Sequence, residues 1–276
     1  MHCGGFPHEE DNMPTTFFGW VGFLAKEYGS LFLRGTGTTL LIAITGTLLG
    51  FLLGLLVAIA RTITPGERMP KWQKALLKLL HGVLAIYIEV FRGTPMIVQA
   101  MVIFYGAQQY MGISMPRLVA AIFIVSINTG AYMAEIIRGG IISIDKGQTE
   151  AAHAIGLTHW QTMVSVVLPQ AIRNIMPSIG NEFVVNIKDS SVLSVISITE
   201  LMFAAKMAGG TYAKFVPAYI ICAVIYFILT FTITRLLRLV EKKMSGSENY
   251  TICGSQSDPD AEIHIKKEEA EPWKLS

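Results

Sequence analysis

Two stretches of this chain, residues 35–60 and 215–234, carry no charged side chain. Each is as long as the run of about 20 apolar residues that an α-helix needs to cross a bilayer. Backbone immersed in lipid has to satisfy its own hydrogen bonds, so stretches of this kind cross as helices. Composition agrees. Of the 276 residues, 52% are apolar and 15% charged, with mean hydropathy +0.49, whereas a soluble domain carries about 25% charged residues. Thirteen of the charges fall in residues 241–276. The chain reads as an integral membrane protein. An ordinary soluble enzyme, a disordered chain, a collagen and a disulfide scaffold are all excluded.

Five membrane helices are expected, over about 35–60, 79–108, 117–138, 176–201 and 215–239. Glu89, Arg92 and Pro95 interrupt the second, and the fourth is unusually polar. An amphipathic piece over 17–33 is expected to lie along the surface. Three regions result: an external N-terminal segment (1–34), a transmembrane domain (35–240), and a polar, solvated cytoplasmic tail (241–276) without fixed structure. The first 16 residues contain Glu9, Glu10 and Asp11 and no Lys or Arg, which argues against a cleaved secretory signal.

Loop cations set the orientation. Arg61, Arg68, Lys71, Lys74, Lys78, Arg138, Lys146, Arg173, Arg235, Arg238, Lys242 and Lys243 lie on one side. Lys26, Arg34, Arg117, Lys206 and Lys214 lie on the other. The richer side is expected in the cytoplasm, which puts the N-terminus outside and the C-terminus inside. Cys3, Cys222 and Cys253 form no CxxC pair, and the six histidines have no metal-ligand spacing, so no metal site is expected. A net charge of +2 gives no reason to expect a nucleic-acid partner. No G-x-x-x-x-G-K-[ST] phosphate loop is present, so ATP binding of that kind is not expected in this chain.

Between the third and fourth spans lies a segment too polar to cross, residues 146–156, followed by Val166-Val167-Leu168-Pro169. Good helix formers over 148–154 predict a short helix stopped by Gly156. A second apolar stretch from Trp160 is expected to end at Pro169. Ala151 and Ala152 leave room for a partner to approach the backbone. Gly46, Gly50 and Gly54 line one face of the first span and predict close helix packing, with dimerisation through that face as one form of it.

Glu150-Ala151-Ala152, Gly156 and Leu168-Pro169 resemble the EAA loop of bacterial ABC importer permeases, with Val166 where the pattern usually has isoleucine. Residues 89–95, 131–141, Asn181-Glu182-Phe183 and Lys188-Asp189-Ser190-Ser191 are similar to blocks of the polar amino acid branch, the histidine/glutamine/arginine/glutamate-type uptake permeases. The resemblance covers about 30–240. It implies an all-α type I permease whose coupling helix (Gly147, Glu150, Ala151, Ala152, Gly156, Leu168, Pro169) docks on a separate ATPase. The implied partners are two ATPase subunits that bind the ATP and Mg, a second permease copy (identical or homologous), an external amino acid-binding protein, and the lipid of the bacterial cytoplasmic membrane. An ion-gradient-driven secondary transporter is the alternative reading.

Polar residues within spans face protein or a cavity, because lipid is costly for them. Ser178, Glu182, Asn186 and Asp189 follow helical spacing in the fourth span and are expected to share a face. Glu182 is the candidate holder of a substrate ammonium group, with Asn181, Asn128, Ser178 and Asn186 as further candidate contacts. Lys188 is placed to neutralise Asp189. Glu89 and Arg92, three apart, are expected to pair, with Gly93, Thr94 and Pro95 as a kink open to a gating role. Asn128, Tyr132 and Glu135 fall on one stripe, and Glu135 is expected to pair with Arg138.

Overall fold

A computed structural model describes residues 13–63, 65 and 69–244. The expected tail beyond residue 244, with Cys3, Cys253 and Arg68, lies outside the described residues. Among them every regular element is a helix. In order these are α1 (Phe17–Glu27), α2 (Gly29–Thr62), α3 (Lys71–Gly93), α4 (Met96–Met111), α5 (Arg117–Ile142), α6 (Lys146–Ala154), α7 (His159–Thr162), α8 (Leu168–Asp189), α9 (Leu201–Thr211) and α10 (Phe215–Met244). A π turn (Met163–Val167) joins α7 to α8, and a 3-10 turn (Ser190–Ile196) follows α8.

Three of the five expected spans are single helices long and apolar enough to cross a membrane: α2, α5 and α10. The fourth is a broken unit. One helical run covers His159–Ile196, and α9 follows at 53°. The turn between them passes through Ser197 in the left-handed region, φ 58°. The second expected span is split in two at Thr94-Pro95. Proline drives the residue before it into extended geometry, and Thr94 sits at φ −121°, ψ 145°. The surface piece expected over 17–33 also divides. α1 ends at Glu27, and Gly29 already begins the first span, six residues earlier than expected. α1 packs on α10, and Trp20, Phe23 and Tyr28 form a ring cluster with Tyr212 just past α9, the Lys214 ammonium lying 5.3 Å from the Trp20 ring.

The core is the α2–α5 contact. Gly46 meets Val125, Gly50 meets Thr129 and Gly54 meets Met133. A Cβ added at Gly54 would lie 2.8 Å from the Ala134 nitrogen and 2.9 Å from the Gly130 oxygen. Those atoms are backbone and cannot swing aside. The glycine stripe is therefore spent within the chain, and its dimerisation use is excluded because α5 covers that face. Ile124, Val125, Met133 and Ile137 are fully buried along the α5 side.

α8 closes the third side. The Asn186 amide donates to Thr47 Oγ1 on α2 (2.8 Å), and its carbonyl accepts from Thr129 Oγ1 on α5 (3.1 Å). Three helices are thus tied by one buried side chain, in surroundings where such bonds are worth about 0.6–2 kcal/mol each.

Gly54→Val is expected to overpack the α2–α5 seam and lower stability by about 1–3 kcal/mol. Gly37, with nothing within 4 Å of an added Cβ, is the control: Gly37→Ala should leave the thermal midpoint of the detergent-solubilised protein unchanged or raised. Equal midpoints for Gly54→Val and wild type would refute the close-approach account.

Candidate coupling surface and translocation path

Asp145 precedes α6, and its carboxylate accepts from the Gly147 N–H at 2.6 Å, capping the helix start. The helix end closes with two bonds: Leu157 N–H donates to Ala152 O (3.1 Å) and Gly156 N–H to His153 O (3.0 Å). That pair is the Schellman pattern, which needs a left-handed residue at its turn. Gly156 supplies it at φ +87°. Both ends of α6 are therefore fixed by residues within the loop itself. Ala152 is buried against the body of the protein, while Glu150, Ala151 and Ala154 face outward. Ile155 and Trp160 add an exposed apolar rim. His153 and His159 are exposed and stack at 6.3 Å.

Pro169 does not end the stretch that begins at Trp160. Helix continues through it, because a π turn precedes it and shifts the bonding register: Leu168 N–H donates to Met163 O, five residues back. Proline's missing N–H falls in the first turn of α8, where it is tolerated. Leu168 and Pro169 thus join α7 to α8 in one helical run.

At the α6 end of α5, Glu135 accepts from Arg138 (2.9 Å) and from Arg61 at the end of α2 (2.6 Å). The Glu135–Arg138 pair was legible from spacing. Arg61, 74 residues away in sequence, was not.

Glu89 and Arg92 do not pair with each other. The Arg92 guanidinium lies 5.5 Å from the Tyr132 ring centroid on α5, and both residues are exposed on the isolated chain. The kink beside them has its own support. Pro95 has no N–H, so the Phe91 carbonyl four residues back loses its helical partner. The Gln99 amide replaces that partner at 2.9 Å and also reaches Thr94 O (2.9 Å) and Thr94 Oγ1 (2.8 Å). Asn128 donates to Gln99 Oε1 (2.9 Å) and to Phe91 O (3.2 Å). Gly93 and Thr94 are exposed at this break. Gln99 was missed by sequence reasoning; a glutamine four residues past an intramembrane proline was the available signal.

The expected stripe on α8 divides. Ser178 and Asn181 are exposed, Glu182 is half-buried, and Asn186 is buried in the α2–α5–α8 core. Eight residues from Ser178 to Asn186 turn the helix by about 80° beyond whole turns, enough to carry the stripe from surface to interior. The Asn128 and Asn186 amides are engaged in bonds between helices rather than left free. Lys188 is exposed and Asp189 half-buried, with no direct ion pair between them. Glu182 makes no hydrogen bond or ion pair among the described residues; the charges that act on it electrostatically are those of Asp189 and Arg92.

Residues 75–246 match the family described as "Binding-protein-dependent transport system inner membrane component". The chain belongs to this family. It is a multi-pass permease component of the inner membrane. It is 33% identical over 216 residues to the arginine transport system permease protein ArtQ of Bacillus subtilis (strain 168), covering 78% of this chain and 93% of that one. It is 34% identical over 215 residues to the glutamine transport system permease protein GlnP of Escherichia coli (strain K12), again covering 78% and 93%. Among solved structures, a chain from "Crystal structure of an amino acid ABC transporter with histidines" matches at TM-score 0.72 and 37% identity, covering 84% of this permease and all of that chain. A methionine transporter structure, MetNI, matches at TM-score 0.59 and 20% identity and shares the fold.

Asn128→Leu is expected to leave Gln99 Oε1 without its donor and to lower stability by about 1–3 kcal/mol. The half-saturating substrate concentration should stay at the wild-type value. A shifted KM with an unchanged melting midpoint would return Asn128 to the substrate site.

Proposed function

We propose that this permease is the membrane subunit of an ATP-driven ABC importer for polar L-amino acids. It works as a dimer with itself or a homologous permease. Two separate ATPase subunits dock on α6 at the cytoplasmic face and carry the ATP and Mg. A binding protein delivers substrate at the opposite face, with the N-terminus outside and the C-terminus inside. The observation that carries this reading is α6: a short helix fixed at both ends and inward-packed through Ala152, with Glu150 and Ala151 left outward, on the EAA spacing.

The geometry supports a transmission route. A push on α6 reaches α7 across the Gly156 turn and passes through the π turn into α8; beyond that glycine all are parts of one helical run from His159 to Ile196. Glu182 rides on that run. A half-buried carboxylate with no hydrogen bond or ion pair among the described residues, within the electrostatic reach of the Arg92 guanidinium, offers with it opposite charges to the ammonium and carboxylate of a zwitterion. Exposed Ser178, one turn before Glu182, adds a hydroxyl on the same face, and exposed Asn181 stands next to Glu182, about 100° round the helix. Motion of α8 relative to α3 would change the Glu182–Arg92 separation and so the grip on substrate.

Two variants test the scheme in proteoliposomes with the full complex. Glu182→Gln is expected to cut amino acid uptake by about tenfold or more, the loss of one charge-assisted contact, with assembly intact; normal uptake would remove Glu182 from the site. Glu150→Lys is expected to abolish ATP-dependent uptake and weaken ATPase association on pull-down. Wild-type association and transport in that variant would overturn the coupling role of α6.

A further inference from the structure

A cavity of about 250 Å³ lies where the end of α5, the start of α6 and the α7–π turn meet. Its lining combines two chemistries. Ile141, Met163 and Val167 make it mainly apolar, and Lys146 and His159 bring cationic or proton-donating groups. Thr162, which also lines it, is 1% exposed, and its hydroxyl has no hydrogen-bond partner among the described residues. A buried hydroxyl without a partner is unfavourable, so the cavity suits an occupant with an oxygen to offer it. Lys146 is exposed and forms no ion pair among the described residues.

Location narrows the occupant. α5 is one of the three helices apolar enough to span the membrane. Ile142, at its end and on the cavity wall, is 66% exposed. The lipid-facing surface therefore runs into the cavity, and the cation stands beyond it. Basic pockets between spans on the cytoplasmic side are suited to anionic lipid head groups. We propose that this cavity binds an anionic phospholipid of the inner leaflet, with its glycerol and upper chain against Ile141, Met163 and Val167 and its phosphate between Lys146 and the Thr162 hydroxyl. The placement in the inner leaflet rests on the orientation given above. A lipid here sits between α6 and the π turn, the two parts that must move together, and so stiffens the link between them.

The test uses the complete transporter, ATPase included, in nanodiscs of phosphatidylcholine and phosphatidylglycerol in equal parts. Photoreactive phosphatidylglycerol is expected to label residues 141–149 and 159–167, and photoreactive phosphatidylcholine to label them far less. Lys146→Gln should lower phosphatidylglycerol labelling about fivefold, the value of one lysine at an anionic surface. Thr162→Val should lower it, with Thr162→Ser restoring it. Excess inorganic phosphate should not compete, since the chain supplies part of the binding. Equal labelling by the two lipids in the wild type would overturn the proposal without any variant having to fold. So would unchanged labelling in Lys146→Gln, or a photo-cross-linker at Thr149 that captures the ATPase subunit in place of lipid. Labelling is read without transport. A failed uptake assay therefore bears on the importer reading, and failed labelling bears on the lipid site.

Discussion

Everything else in the molecule is arranged around the close approach of α2 and α5. Inside a bilayer, apolar side chains gain little by leaving lipid for one another, so helices associate through tight packing and through polar ties. Gly46, Gly50 and Gly54 remove three side chains from one face of α2, and Val125, Thr129 and Met133 fill the space. Once those two helices are locked, α8 has a fixed groove to enter, and Asn186 finds Thr47 and Thr129 waiting on its two sides. Gly140 repeats the device on the other flank of α5, where Ile175 of α8 packs against it.

The second constraint is backbone satisfaction. Two breaks in the spans are matched by side chains that take up the freed backbone groups. The Pro95 break frees the Phe91 carbonyl, and Gln99 and Asn128 take it. The break before α9 leaves the N–H groups of Met202 and Phe203 open, and the Glu200 carboxylate accepts both at 2.7 Å, itself held by Tyr226 at 3.0 Å. Glu200 is fully buried. Polar residues in these spans are thus divided between two tasks. Gln99, Asn128 and Glu200 repair backbone, Asn186 ties helices together, and Glu182 makes no hydrogen bond or ion pair among the described residues.

Sequence reasoning captured what is periodic or local. Charge-free runs marked α2 and α10, the helix-stopping glycine marked the end of α6, and i, i+3 spacing marked the Glu135–Arg138 pair. It failed where a side chain's task depends on a distant residue. Asn128 and Asn186 read as free amides because Gln99, Thr47 and Thr129 lie 29, 139 and 57 residues away from them. Spacing alone paired Glu89 with Arg92, but Tyr132, on another helix, offers the guanidinium a ring face. Pro169 read as a helix end because a change of bonding register cannot be seen in a residue pattern.

That register change sets an angular relationship as well as a path. A π turn holds one residue more than the α-helix it interrupts, and each residue turns a helix by about 100°. The azimuth of Glu182 about its axis is thereby keyed to the azimuth of the lever on the far side of the turn. A change in the length of residues 163–167 would reset that phase relationship even with the docking face of α6 left chemically intact, like a correctly cut gear mounted a tooth out of mesh.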